Sequence, residues 1–191
     1  MHHVHWRGAG HCAGAGKGVT SWQVQRLVPA HAAVYQALRL RGLKEHPEAF
    51  TSSHEEDLAR PLDAAEARLT DSPALPHDAF FGGWRSNQLI GVVGMQGRYR
   101  QKERHTATVV GLFVVAEARG LGVGDALMQA LLRHARHCSA LRQLDLTVTA
   151  GNDPARQLYE RLGFCVWGVY PDAVCVNGVY ADKVHLALPL R

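Results

Sequence analysis

A run of glycines in the second half of the chain has the form of an anion-binding turn. Residues 119–124 read Arg119-Gly120-Leu121-Gly122-Val123-Gly124, between a strand-like segment and one with helical periodicity. Backbone N–H groups in the first turn of a helix lack intrahelical acceptors and carry the positive end of the helix dipole. Glycines let that backbone approach a phosphate closely, and Arg119 adds a fixed positive charge. The pattern predicts a pyrophosphate cradle.

Two other phosphate-binding motifs do not fit this turn. A P-loop requires Gly-Lys followed by Ser or Thr, whereas Gly16-Lys17 is followed by Gly18. A dinucleotide-binding fold places its glycines after the first strand of a parallel sheet, whereas here they follow several strand-like segments late in the chain. An ordinary helix start without a ligand is the remaining alternative for the turn taken alone.

A second motif follows downstream. Asn152 and Asp153 with Pro154 are typical of a helix start, and Gly163 is typical of a helix end. Between them, apolar side chains recur at i, i+3, i+4 and i+7 and form one face of a helix. The residues of that face are Ala155, Leu158, Tyr159 and Leu162.

Together the two motifs, Val114-x-x-x-x-Arg119-Gly120-x-Gly122-x-Gly124 and Asn152 to Phe164, resemble the GNAT superfamily of N-acetyltransferases. The resemblance implies an α/β (α+β) fold with a mixed, mostly antiparallel central sheet of about six to seven strands, flanked by about four helices. It implies that the sheet is splayed after the acetyl-CoA motif. It also implies acetyl-CoA as co-substrate, no metal, and direct attack of a primary amine on the thioester. The amine would belong to a small molecule, an amino acid or a protein.

The resemblance also implies which residues hold the cofactor. The pantetheine arm pairs with the backbone of a strand, the glycine turn holds the pyrophosphate, Asn152 bonds near the pantetheine or thioester, and Tyr159 faces the sulfur. A core aromatic is the alternative role for Tyr159. The implied cofactor-binding residues are Leu112, Phe113, Val114, Arg119, Gly120, Leu121, Gly122, Val123, Gly124, Asn152 and Tyr159.

Acyl transfer requires proton movements, and the sequence offers candidates for them. A lysine-like amine of pKa about 10.4 is uncharged in roughly one molecule per few thousand at pH 7, so a proton must be removed. Tyr159 is the candidate general acid for the leaving thiolate. His105 or Asp145 is the candidate base or water-ordering group, although either side chain is equally explained by solvent exposure. A water relay without a dedicated base stays open.

The acceptor amine is expected to face the early helices and the late hairpin, where acidic, aromatic and histidine side chains are available. Since no glutamate stands at the two strand positions where GNAT enzymes often carry a base, a non-catalytic acyl-CoA sensor or interaction module is the alternative function. The available side chains are Glu45, His46, Glu48, Phe50, Tyr99, Tyr170, Asp172 and Tyr180.

The elements that must position these residues follow from periodicity and turn signals. Strands are predicted over residues 24–28, 79–84, 89–95, 106–115, 143–149, 164–169 and 179–188. Helices are predicted over residues 33–43, 51–69, 122–137 and 152–163, with Pro61 requiring a kink or a restart in the second. The last two strands are expected to be joined by an excursion that contains Pro171.

Composition places the chain among globular proteins. Its 191 residues are 47% hydrophobic and 20% charged, and they predict one domain over 22–191 after a disordered tail over 1–21. Four scattered cysteines favour neither zinc nor disulfides, and the expected location is the cytoplasm, without a membrane. The net charge of +4 permits anionic partners, but the basic run at 98–104 has no interleaved aromatic apart from Tyr99 and carries Glu103, so no nucleic-acid partner is expected. An exposed edge strand at 179–188 would allow a homodimer.

Overall fold

The computed structural model describes residues 21–190. The predicted N-terminal tail, apart from Ser21, lies outside the described residues, as does Arg191. None of the helices within residues 21–190 has the length and apolar character needed to cross a bilayer.

Seven strands form one sheet in the order β1-β2-β3-β4-β5-β7-β6. Every neighbouring pair is antiparallel except β4 and β5, which are parallel. The strands are β1 (Trp22–Arg26), β2 (Ala79–Arg85), β3 (Gln88–Gly97), β4 (Thr106–Val114), β5 (Gln143–Thr149), β6 (Cys165–Val176) and β7 (Val179–Pro189).

Within residues 21–190, five α-helices accompany the sheet, and short 3-10 turns precede or follow several of them. The helices are α1 (Ala32–Glu45), α2 (His54–Leu58), α3 (Leu62–Leu69), α4 (Val123–His137) and α5 (Asp153–Arg161). The predicted fold class is therefore confirmed. The fifth helix arises because the predicted helix over 51–69 restarts at Pro61, where proline cannot continue the hydrogen-bond ladder.

The helices cover both faces of the sheet. Neighbouring residues of β2 point to opposite faces, and Phe80 contacts Tyr35 of α1 while Phe81 contacts His134 of α4, with ring centroids 5.6 and 5.8 Å apart. We call these the α1 face and the α4 face. Helix α5 lies on the α4 face, since a Cβ placed on Gly124 would be 3.7 Å from Leu158.

Turn chemistry fixes the element ends that the sequence indicated. Ser53 and Glu56 form a reciprocal capping box at the start of α2, with hydrogen bonds of 3.1 and 2.8 Å. Asn87, in the turn between β2 and β3, has φ of 64°. These local signals account for the meander β2-β3-β4.

The end of the chain differs from the prediction in two ways. Strand β6 does not leave the sheet at Pro171 but continues to Val176, with a register shift between Tyr170 and Val174. The expectation that residues 179–188 form an edge strand is wrong, because β7 lies between β5 and β6 and pairs on both sides. In the described part of the chain, β6 forms one edge of the sheet and β1 forms the other.

Candidate functional site

The glycine turn has the geometry of an anion cradle. Strand β4 ends at Val114, and the chain passes through a 3-10 turn to Gly122, the N-cap of α4. Gly120 and Gly122 have φ of 77° and 78°, a conformation that favours glycine, and a Cβ added at either would meet no atom within 4 Å. Gly122, the N-cap residue, has no side chain that could cap the first N–H groups of this fifteen-residue helix. An open cradle with uncapped donors fits a phosphate-bearing ligand.

Arg119 lies at the rim of this cradle. Its Nε donates to the Val114 carbonyl at 3.3 Å, and its Nη2 donates to His46 Nε2 at 2.7 Å. These two contacts orient one edge of the guanidinium group. A cation held in this way at a helix N-terminus complements an anion there.

Strands β4 and β5 separate next to the cradle. Their parallel register joins only residues 106–108 to residues 143–145. Beyond Thr108, β4 keeps its pairing with β3 through Phe113 and Val114, but its other edge has no partner in β5. Gly111, with φ of 63°, lies where the β3–β4 register shifts. The predicted splay is present, and it leaves the backbone of residues 109–114 open along one edge.

Helix α5 supplies the residues of the second motif. Asn152 caps this helix, because its side-chain oxygen accepts a hydrogen bond from the Ala155 N–H at 3.3 Å. The side-chain NH2 group of Asn152 takes no part in that bond. Tyr159 is only 7% exposed, and its ring packs edge-on against Phe164 with centroids 6.1 Å apart. Burial raises the pKa of the Tyr159 phenol to about 12, so the hydroxyl is protonated at neutral pH.

The structure does not place His105 in the gap between the diverging parts of β4 and β5. His105 is exposed and precedes Thr106, at the end of β4 that is paired with β5, and its carbonyl accepts from the Arg142 N–H at 2.8 Å. The seven strand steps from Thr106 to Phe113 span about 23 Å. His105 therefore lies at the closed end of the splay, where β4 and β5 are paired, and is remote from the cradle.

Asp145 lies at the vertex where the strands begin to diverge. It is partly buried, and its Oδ2 forms an ion pair with Arg98. Its Oδ1 is buried without a hydrogen-bond partner among residues 21–190. A carboxylate with one free, enclosed oxygen can order a water molecule.

Several polar groups of the α1 face were not assigned to the site from the sequence. Strand pairing places Thr147 of β5 opposite His185 of β7, and Thr149 of β5 opposite Lys183 of β7. Strand β5 borders the gap, and β7 is its other neighbour. His185 is half-buried with its ring 5.1 Å from that of Trp167. The order β5-β7-β6, which no local signal specifies, brings these groups together. Within residues 21–190 no three His, Cys, Asp or Glu side chains are grouped as metal ligands.

Comparison with known proteins gives a family match over the region that contains both motifs. The family model described as "Acetyltransferase (GNAT) family" matches residues 40–164. Among curated relatives, the 5-NmdU N-acetyltransferase of Pseudomonas phage PaMx11 is 43% identical over 70 residues, which cover 36% of this chain and 47% of that enzyme. The L-amino acid N-acetyltransferase AaaT of Escherichia coli K12 is 23% identical over 165 residues, which cover 86% of this chain and 98% of that enzyme.

Solved structures share the architecture. The structure of YncA from Salmonella typhimurium with its cofactor acetyl-CoA has a TM-score of 0.74 at 19% identity, covering 90% of this chain and 95% of that one. This likeness concerns the fold alone.

Proposed function

The chain belongs to the acetyltransferase (GNAT) family, and we propose that it transfers the acetyl group of acetyl-CoA to the primary amine of a small molecule, an amino acid or a protein. The observation that carries this proposal is the opening between β4 and β5 beside the cradle of residues 119–124. It provides, in one place, an anion site and a strand edge with free backbone groups. These are the two features that a CoA ester needs.

The chain's own residues would hold the cofactor in two ways. Backbone N–H groups of Gly120 to Gly124, with Arg119, would bind the pyrophosphate, and the open edge of Leu112, Phe113 and Val114 would pair with the pantetheine arm. The Asn152 amide would bond to the arm from the other side of the gap. When bound, acetyl-CoA supplies an acetyl group activated as a thioester.

Two different residues would carry out the two proton transfers of the reaction. As the N–C bond forms and the C–S bond breaks, the amine must lose a proton and the sulfur gains negative charge. The protonated Tyr159 phenol is in the correct state to donate to that sulfur. Asp145, through a water on its free Oδ1, is the better placed of the two candidate bases, since His105 lies at the closed end of the splay.

A second candidate function is a non-catalytic acyl-CoA sensor on the same fold. The ion pair between Asp145 and Arg98 favours it, because a carboxylate held by a guanidinium group has a structural role that requires no catalysis. Turnover separates the two functions, since both require CoA binding.

The decisive experiment measures CoA thiol release over a panel of amino acids, peptides, polyamines and aminoglycosides. A thermal shift with CoA precedes it: at a ligand concentration 100 times the Kd, stabilisation is about 2.7 kcal/mol. If millimolar CoA causes no thermal shift, the proposed acetyltransferase function is wrong. A shift without turnover on any amine would favour the sensor.

We also propose the cytoplasm as the compartment and a homodimer as the assembly. The free thiols of Cys165 and Cys175 are exposed on β6, which fits a reducing environment. Because β6 is an edge strand with Trp167 and Tyr170 exposed on it, subunits would pair through this edge. Light scattering on the purified chain measures the assembly.

A further inference from the structure

Residues 46–49 follow α1 and reach the cofactor cradle at one end. His46 Nε2 accepts from Arg119 Nη2 at 2.7 Å, so the ring's proton is on Nδ1, which lies 3.5 Å from Glu48 Oε1. The His46 ring is also 6.3 Å from the Phe113 ring on the open part of β4. A second link nearby joins α1 to the turn, because Arg41 donates to both oxygens of Glu117 at 2.8 and 3.0 Å.

The same segment is attached to the other side of the gap through its carbonyl groups. Thr149 Oγ1, at the end of β5, donates to the Glu48 carbonyl at 2.6 Å. Lys183 Nζ, on β7, donates to Thr149 Oγ1 at 2.6 Å and lies 3.3 and 3.4 Å from the carbonyls of Glu48 and Ala49. The segment therefore joins Arg119, just after β4, to Thr149, where β4 and β5 no longer pair.

Lys183 is an unusual anchor. It is 6% exposed, burial lowers the pKa of its ammonium group, and no carboxylate among residues 21–190 forms an ion pair with it. A buried charge is costly unless its donors are satisfied, and here three oxygens satisfy them. The ammonium group thus adds charge-assisted hydrogen bonds to the neutral bond between Thr149 and the Glu48 carbonyl that holds the segment.

We propose, on the basis of the proposed function, that residues 46–49 form a bridge that positions Arg119 for the cofactor, with Lys183 and Thr149 as its anchor. His46 and the Val114 carbonyl occupy the Nε–Nη2 edge of the guanidinium group, which leaves Nη1 and its protons for a phosphate oxygen. His46 is a positioning residue in this arrangement, and Lys183 acts through the bridge from the opposite side of the gap.

Calorimetric titration with CoA tests the bridge without knowledge of the acceptor. His46→Leu removes the acceptor for Arg119 and is expected to weaken CoA binding about tenfold, the loss of one hydrogen bond to a charged group. His46→Gln retains an acceptor oxygen and is expected to stay within about threefold of wild type. His54→Leu is the matched control, since His54 Nδ1 lies 3.8 Å from Glu55 Oε1 outside the site.

The anchor is tested by combining substitutions on the two sides of the gap. Lys183→Met is expected to weaken CoA binding about fivefold, and the double variant with His46→Leu to bind no worse than His46→Leu alone, because both changes act through one bridge. Multiplication of the two losses would overturn the proposal, as would unchanged binding by His46→Leu. Should Lys183→Met not fold, Thr149→Val removes the Thr149–Glu48 bond and takes its place in the cycle. Wild-type chain that fails to bind CoA would instead refute the proposed function.

Discussion

Asp145 on β5 pairs with Thr108 on β4, and this is the last pair of the parallel register between the two strands. The carboxylate is therefore at the vertex of the splay, with the cradle and the open edge of β4 on one side and the paired ends on the other. Its ion pair with Arg98 fixes it there. Position, rather than residue type, makes it the better base candidate.

We expect Asp145→Asn to lower kcat at least tenfold, because an amide cannot take a proton from the water that the carboxylate orders. Arg98→Gln breaks the same ion pair but keeps the carboxylate, and its kcat should fall less than threefold. Thiol-release kinetics at saturating acetyl-CoA measure both. Equal losses in the two variants would assign Asp145 a structural role.

His105→Gln is expected to leave kcat within about twofold of wild type, since His105 precedes Thr106, which is itself about 23 Å of strand from Phe113. The kcat/KM profile against pH should likewise be unchanged. A loss of the acidic limb of that profile would restore His105 as a base.

Tyr159→Phe should leave CoA affinity within about threefold and lower turnover at least tenfold, because the ring packing against Phe164 is kept and the proton donor is lost. Tyr35→Phe is a matched control: this tyrosine is also buried beside a phenylalanine, and its hydroxyl accepts from Arg68 at 3.3 Å on the α1 side. Titration calorimetry and thiol release separate binding from chemistry. Unchanged turnover in Tyr159→Phe would make it a core aromatic.

Gly122→Ala tests the cradle's backbone. An alanine with φ near 78° is strained by about 1–2 kcal/mol, and relaxation would turn the N–H groups away from the ligand. We expect CoA affinity to fall about tenfold, and we expect no change for Gly168→Ala, where a Cβ also meets no atom within 4 Å but φ is not positive. Equal affinity in both variants would mean that the cradle does not hold the pyrophosphate.

Local signals were sufficient for much of this fold. The meander, its turn at Asn87, the capping box at Ser53 and the uncapped start of α4 all depend on residues close together in the sequence. The family resemblance then implied the splay, which the register of β4 and β5 shows.

The remaining features depend on strand order, and no short-range pattern specifies it. Placing β7 between β5 and β6 brings Lys183 beside Thr149 and makes β6, not β7, the edge strand at that end of the sheet. No sequence pattern distinguishes Lys183 from an ordinary charged residue on the surface. The sequence analysis offered His46 only as a side chain that could face the acceptor amine. Its contact with Arg119 joins residues 73 positions apart, and motif spacing does not predict such a contact.

His134 should make the fold acid-sensitive. Burial on the α4 face lowers the pKa of His134 below its ordinary 6.5, and Arg26 nearby adds to this effect. Since the unfolded chain then binds the proton more readily than the folded chain, the free energy of unfolding falls as the pH drops through about 6.5 towards the folded pKa. Urea denaturation at pH 7.5 and 5.5 should show a smaller loss for His134→Gln than for wild type. An equal loss in the two proteins would show that His134 is not protonated preferentially on unfolding.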